Sequence, residues 1–268
     1  MSKLTNPPFV PAAALSKLWR AIIEFDMLAP GDRILIGLSG GKDSMLLTAM
    51  LAEIKKYSPI PFDLACYTVN GMFAPNFPKQ QLVDFCAHYG LEHYSDDIDI
   101  LGTQEKCDVS PCFTCAYFRR GATNRRAKEL GFNKVALAHH NDDAVETFFM
   151  NVMTTGQLRT FLPVTYLSRM ELTVLRPLLY YREYEIRSLV KKLGLTPIKN
   201  PCPYDGHTMR QDVKEHIKAL NSQYPELYDH LASAMRNQEG MDLWPAKLAN
   251  KDLAQKFKAF WGKKNTNP

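Results

Sequence analysis

Three short segments of this 268-residue chain hold side chains whose types and spacing suit chemistry. The first, Ser39-Gly40-Gly41-Lys42-Asp43-Ser44, joins an apolar run, Arg33 to Leu38, to a helix-forming stretch. Glycines at such a junction let successive backbone N–H groups converge on an anion that the helix dipole also favours. Ser39, Gly40, Gly41, Lys42, Asp43 and Ser44 are therefore candidate ATP-binding residues. The segment is not a Walker loop, because Ile36 stands where that loop needs glycine and Asp43 where it needs a hydroxyl. An acid inside the loop suits a pyrophosphate with its Mg²⁺ instead, as when ATP is cut between the α and β phosphates and AMP is transferred. Asp43 is the expected catalytic group of that step.

The second segment, Ala138-His139-His140-Asn141-Asp142-Asp143, lies at another strand-to-helix junction. Taken alone, its acids fit the first turn of a helix and its histidines fit local hydrogen bonds, as well as they fit ligand binding. The third is Cys112-Phe113-Thr114-Cys115, at the start of an arginine-rich helix, with Cys202 far downstream in Asn200-Pro201-Cys202-Pro203. Several chemistries fit three such thiols: a [4Fe–4S] cluster with one iron lacking a protein ligand, a zinc site completed by His207 or water, a redox pair between Cys112 and Cys115, or plain buried thiols. Cys66 and Cys86 lie in apolar patterns that suit core residues, and Cys107 is a bystander in this reading.

The elements that must position these segments alternate. Residues 12–27 form a leading helix closed by Pro30-Gly31; strands follow at 33–38, 62–69, 92–98 and 134–138, and helices at 43–56, 79–89, 113–130 and 142–153. A short extended piece at 173–175 and helices at 181–193, 211–221 and 224–237 complete the pattern. This order implies an α/β fold, a parallel sheet with helices on both faces and helical additions at both termini. Ligands then bind beyond the carboxyl ends of the strands. The expected division is an N-terminal helical segment over 1–30, a nucleotide-binding α/β domain over 31–205 and a C-terminal helical extension over 206–268, basic and aromatic in composition.

Composition narrows the class. With 46% hydrophobic residues the chain can bury a core, and six cysteines in 268 residues are too few for a disulfide scaffold. No apolar run approaches the ~18–20 residues of a membrane span, and the stretch after Met1 has no signal-peptide core, so no membrane and a cytoplasmic location are expected. The net charge of +5 tolerates a polyanion without requiring one. More telling is its placing, with Arg119, Arg120, Arg125 and Arg126 crowded just after the CxxC. Such a run is either a solvated face or a phosphate-binding surface, and RNA contact is the reading adopted for these four.

SGGKDS after an apolar strand resembles the PP-loop of the N-type ATP pyrophosphatases, and His139-His140-Asn141-Asp142-Asp143 resembles their second signature, with Ala138 in place of a glycine. Adding the CxxC that opens a helix through Phe118-Arg119-Arg120-Gly121, Arg176-Pro177-Leu178 and the late Pro-Cys, the chain is similar over about residues 15–218 to the TtcA family of tRNA-cytidine 2-thiolating enzymes. That resemblance implies ATP with Mg²⁺, His139 and Asp143 among the ATP-binding residues, and a [4Fe–4S] cluster on Cys112, Cys115 and Cys202 as metal ligands and catalytic cysteines. It implies tRNA as substrate, with adenylation of the C2 oxygen of cytidine 32 in the anticodon loop and replacement by sulfur. It also implies a sulfur donor such as a cysteine desulfurase, and it is compatible with a homodimer. Many members carry a second CxxC, whereas here Asp205 follows Cys202-Pro203-Tyr204 and takes the place of the fourth thiol.

Overall fold

A computed structural model describes residues 10–73, 76–100, 102, 111–198, 209–236 and 249–262. The first unit, through Met235, opens with α1 (Ala12–Glu24). Next come β1 (Asp32–Gly37), α2 (Lys42–Lys55), β2 (Phe62–Asn70), α3 (Lys79–His88) and β3 (Glu92–Asp97). The chain then forms α4 (Pro111–Glu129), β4 (Lys134–Ala136), α5 (Asn141–Thr155), β5 (Val164–Leu167) and β6 (Leu172–Leu175). It ends with α6 (Glu183–Lys192), α7 (Met209–Gln223) and α8 (Leu227–Ala234). The second unit, from Arg236, contains α9 (Asn250–Gly262).

The strands lie in the order β3-β2-β1-β4-β6-β5. All neighbouring pairs are parallel except β5 with β6. Chain order runs outward from β1 through β2 to β3, then crosses back to place β4 on the other side of β1. The loops after β1 and β4 therefore leave the sheet side by side in opposite directions, and the gap between them is the crevice in which open α/β sheets bind ligands. SGGKDS is the first of these loops and His139-His140 lies in the second.

The sheet is the expected parallel one with an antiparallel strand added at one edge. β5 pairs antiparallel with β6, Val164 opposite Leu175, across a turn at which Glu171 takes φ +53°. An edge strand is buried on one side only, so Val164 to Leu167 lack the continuous apolar run of a central strand and signal little by themselves.

Central strands do show the expected pattern. In β1, Ile34 and Ile36 face a core built with α1, α2, α3 and α6, whereas Leu35 faces the other side with Ala65, Tyr67, Ala127 and Val135. This period of two follows from the pleat. α2 is buried from Ser44 to Ile54, which matches a composition that is apolar on every side apart from Ser44, Thr48 and Glu53. A smaller core of Val145, Val213 and Ile217 fastens α7 and α8 to α5.

α1 is tied down in an unusual way. The Tyr181 hydroxyl accepts from the Leu18 amide at 3.0 Å and donates to the Ala14 carbonyl, so it stands between two groups that would otherwise bond directly along the helix. Near the start of β1, buried Asp32 receives Lys134 at 2.7 Å, the Asn133 amide at 2.9 Å and the Ala29 N–H at 2.6 Å. Asp32→Ala strips the counterion from a largely buried ammonium, and we expect a loss of about 3–5 kcal/mol in stability, read as a lower urea midpoint at unchanged slope.

Candidate active site

The loop after β1 is shaped by one backbone constraint. Gly40 takes φ +81°, and a Cβ there would lie 3.0 Å from the Ile198 side chain, while its carbonyl accepts the Ile198 N–H at 2.9 Å. Only glycine fits this combination. Gly41 then caps α2, Ser44 Oγ donates to the Gly41 carbonyl at 3.0 Å, and the Ser39 and Ser44 hydroxyls lie 3.0 Å apart. The result is a turn whose amides lead into the positive end of a buried helix, the physical basis of a phosphate site.

Lys42 and Asp43 sit at the mouth of this turn. The Lys42 ammonium lies 3.0 Å from Asp43 and 3.2 Å from Glu183 at the start of α6. Burial presses its pKa down, but the two carboxylates outweigh that and leave it above its usual value. Asp43 Oδ1 is buried with no hydrogen-bond partner among the described residues, and His140 Nε2 lies 3.7 Å from it. A carboxylate oxygen so placed beside a phosphate cradle fits a divalent cation.

Across the crevice, His140 caps α5. Its backbone N–H donates to Asp143 Oδ2 at 2.9 Å, and its Nδ1 accepts from the Asp143 N–H at 3.4 Å, which makes Nε2 the protonated nitrogen. Nε2 points to Asp43 at 3.7 Å and Asp143 at 3.6 Å, so one imidazole stands between two carboxylates from different strand ends. His139 turns away: its ring packs 5.1 Å from Phe161, whose other neighbour is the Arg176 guanidinium at 5.1 Å. Burial holds His139 neutral, with its pKa lowered to about 4.

Cations from three helices complete the site. Arg182 lies 3.2 Å from Asp142, and the Glu183 N–H donates to the same carboxylate at 2.8 Å. Lys214 on α7 reaches Glu183 at 2.6 Å, and Arg187 reaches it at 2.8 Å. Burial disfavours charge on Glu183, yet Lys214, Arg187 and Lys42 hold its pKa far below the usual range. Arg210 lies 3.5 Å from Asp143 and 3.6 Å from Glu146. Of these residues, Arg182, Glu183, Arg210, Lys214 and Glu146 were not anticipated. Charged residues on amphipathic helices carry no local mark that separates a site from a solvated surface.

Among the described residues, no three His, Cys, Asp or Glu side chains converge tightly enough to hold a metal by themselves. Mg²⁺ in a nucleotide site needs only one or two carboxylates, sharing the ion with substrate phosphates and water. Asp43 and Asp143 are the residues that fit it. Of the expected thiolates, Cys115 is half-buried in the first turns of α4; the Cys112 side chain, Cys202 and Asp205 lie outside the described residues. Cys66 and Cys86 are fully buried, as expected of core residues.

The four arginines divide. Arg126 forms a tight pair with Asp96 of β3, at 2.5 Å and 3.2 Å, and Arg119 lies over the Phe73 ring at 5.5 Å. Arg125 faces Glu129 at 3.9 Å and is well exposed, and Arg120 is exposed without an ion pair among the described residues. Half of the run thus braces α4 against the molecule.

Comparison with known proteins places these features. A PP-loop domain family model matches residues 14–219. The tRNA-cytidine(32) 2-sulfurtransferase of Ralstonia pickettii is 34% identical over 242 residues, covering 89% of this chain and 75% of that protein. The enzyme of the same name from Dichelobacter nodosus is 34% identical over 237 residues, covering 86% and 88%. Among solved structures, the U34-tRNA thiolase NcsA of Methanococcus maripaludis, described with its [4Fe–4S] cluster, superposes with a TM-score of 0.65 at 25% identity, covering 82% of this chain and 77% of that one.

Glu146 offers a check on the electrostatics. Burial, then the charge of Asp143, lifts its pKa from 4.5 to about 7. A carboxyl raised in the folded state adds stability below its unfolded pKa and loses it as the pH rises through the folded value. Glu146→Gln should therefore match the parent near pH 4, gain melting temperature progressively from pH 4.5 to 7 and hold that gain above it, as followed by thermal denaturation.

Proposed function

The chain belongs to the PP-loop family, among the tRNA-cytidine(32) 2-sulfurtransferases, and we propose that it is an ATP-dependent tRNA thiolase that exchanges the C2 oxygen of a cytidine for sulfur. One observation carries the ATP half of this reading. The orphaned Asp43 oxygen faces Asp143 across His140 at the mouth of a glycine turn, so the site pairs a phosphate cradle with a place for Mg²⁺.

In this reading the amides of residues 40–44 hold the β and γ phosphates, and Lys42 leaves Glu183 for them when ATP enters. Glu183 keeps its other partners, Lys214 and Arg187, so the lysine can move without leaving a buried carboxylate unpaired. The cytidine oxygen attacks the α phosphorus; an O–P bond forms, the bond to the β-phosphate oxygen breaks, and pyrophosphate leaves with the negative charge that Lys42 and the loop amides stabilise. AMP then departs as sulfur takes its place on C2, with no net oxidation or reduction.

Cys112, Cys115 and Cys202 would hold a [4Fe–4S] cluster, which supplies the sulfur-binding chemistry when bound. α4 runs back along the sheet, so its first turns, with Cys115, lie at the carboxyl edge that carries the ATP loop. Exposed Arg120 and Arg125 contact the RNA backbone, and Arg119 and Arg126 hold the helix in place. A target cytidine in a single-stranded loop leaves its neighbours at modest cost. Sulfur comes from an external donor such as a cysteine desulfurase, whose persulfide sulfur is brought to the sulfide level by two electrons from external thiols, oxidised to a disulfide, before the redox-neutral exchange at C2, and the protein works as a homodimer. Among the described residues no helix is long and apolar enough to cross a membrane.

Asp43→Asn should lower tRNA-dependent pyrophosphate release on the order of 10²-fold while the protein stays folded. Cys112→Ala, Cys115→Ala and Cys202→Ala should each abolish 2-thiocytidine, scored by nucleoside mass spectrometry of tRNA, while Cys86→Ala retains it. Anaerobically purified protein holding zinc and no labile sulfide would overturn the cluster. Unchanged 2-thiocytidine in tRNA from a deletion strain would overturn the cytidine reading.

A further inference from the structure

Arg176 follows the last residue of β6 and is held rigidly. Its backbone N–H donates to the Pro163 carbonyl at 3.0 Å, and its Nη1 donates to the Leu162 carbonyl at 2.7 Å and to Thr165 Oγ1 at 3.1 Å. The guanidinium carbon lies 5.1 Å from the centre of the Phe161 ring. That ring is fixed in turn, since the neighbouring Thr160 hydroxyl donates to the Ala144 carbonyl of α5 at 2.8 Å. Among the described residues no carboxylate pairs with Arg176, and its Nε is buried with no hydrogen-bond partner. Burial lowers its pKa only to about 10, so the group keeps its charge at neutral pH.

With Nη1 engaged by the protein, the remaining donors, Nε and Nη2, lie along one edge of the guanidinium plane. Such an edge engages two oxygens of one anion in parallel. A second unsatisfied atom lies on the same ring. His139 packs against Phe161 with centroids 5.1 Å apart, and its Nδ1 is also buried with no partner among the described residues. Burial keeps that imidazole neutral, so it adds a hydrogen-bonding nitrogen and no charge. One uncompensated cation with one neutral polar nitrogen suits an anion of single charge. Strand register gives the place. Leu35 of β1, Val135 of β4 and Val174 of β6 lie side by side, so Arg176 leaves the carboxyl edge two strands from the phosphate loop, ~10 Å at ordinary strand spacing. The loop after β4, with His139, lies between them.

We propose that Arg176, with Phe161 and His139, binds a singly charged phosphate that is bridged on both sides and presents two free oxygens to the Nε–Nη2 edge. Two groups in the reaction have this chemistry. One is the tRNA backbone beside the target cytidine; the other is the α phosphate, bridged at both ends in ATP and in the adenylated base alike. The terminal phosphate of ATP carries more charge and belongs with the loop amides and Mg²⁺. A carboxylate would share the geometry, but neither ATP nor tRNA brings one. The inference rests on the tRNA reading above and adds a receptor on the side of the crevice away from the phosphate loop.

The test uses the full-length protein with Arg176→Lys, which keeps a positive charge but loses the paired donors. Three quantities are measured: tRNA affinity without ATP by fluorescence anisotropy, ATP affinity without tRNA by calorimetry, and single-turnover pyrophosphate release at saturating ATP and tRNA. A backbone phosphate predicts a loss of roughly tenfold or more in tRNA affinity, with ATP affinity and pyrophosphate release as in the parent. The α phosphate predicts parental tRNA affinity, with a loss of that size in ATP affinity or pyrophosphate release. Thr165→Val, close in shape and on an edge strand, releases one anchor of Nη1 and should lower the same quantity by a smaller factor; it serves also if Arg176→Lys does not fold. A lower melting temperature with all three quantities parental would make Arg176 a structural residue and overturn the site. Parent protein that binds no tRNA would instead end the tRNA reading, and the ATP measurement would still decide whether Arg176 receives the α phosphate.

Discussion

Five carboxylates share one crevice. Asp43, Asp142, Asp143, Glu146 and Glu183 gather where two neighbouring strands end, most of them shielded from water, and charges of one sign cannot be packed so closely unless cations or protons intervene. Much of the local architecture answers that demand. α2 brings Lys42, the turn into α6 brings Arg182, α7 brings Arg210 and Lys214, and His140 stands between Asp43 and Asp143. Glu146 meets it differently, with a pKa high enough to keep a proton close to neutrality. One carboxylate oxygen, on Asp43, is left unanswered, and it faces the glycine turn.

This arrangement links elements that are distant in sequence. Glu183 is bound at once by the phosphate-loop lysine and by Lys214 on α7, while Arg210 joins α7 to the Asp143 cap of α5. The helices after the sheet are thus part of this charged crevice and are fastened beside it through Val145, Val213 and Ile217. α1 is held likewise by the Tyr181 hydroxyl, from the segment just before Arg182.

α4 shows how one helix divides its labour. Its arginines are conspicuous in the sequence, but their number says nothing of which way each points. Asp96 and Phe73 claim Arg126 and Arg119 for the interior side, and the outward face is left to two aromatic rings and Arg120. A count of basic residues does not separate the two faces.

Local chemistry made much of this protein legible before folding. A glycine turn between a buried strand and a helix, an acid where a Walker loop has a hydroxyl, and a His-His-x-Asp-Asp junction are contiguous in the chain, and their meaning depends on neighbours a few residues away. The alternation of strand and helix is equally local, because the periods of two and 3.6 arise from backbone geometry. β5 escaped notice because an edge strand is defined by its partner, Val164 finding Leu175 only after the chain turns. The crossing that puts β4 beside β1, the pairing of Asp43 with His140, the convergence of Arg182, Glu183, Arg210 and Lys214, and the turning of α4 were decided by tertiary structure alone. The reason is physical: a charge or a ring acquires a role from what lies within a few ångströms of it, and for these residues the chain supplies those neighbours only once it is folded.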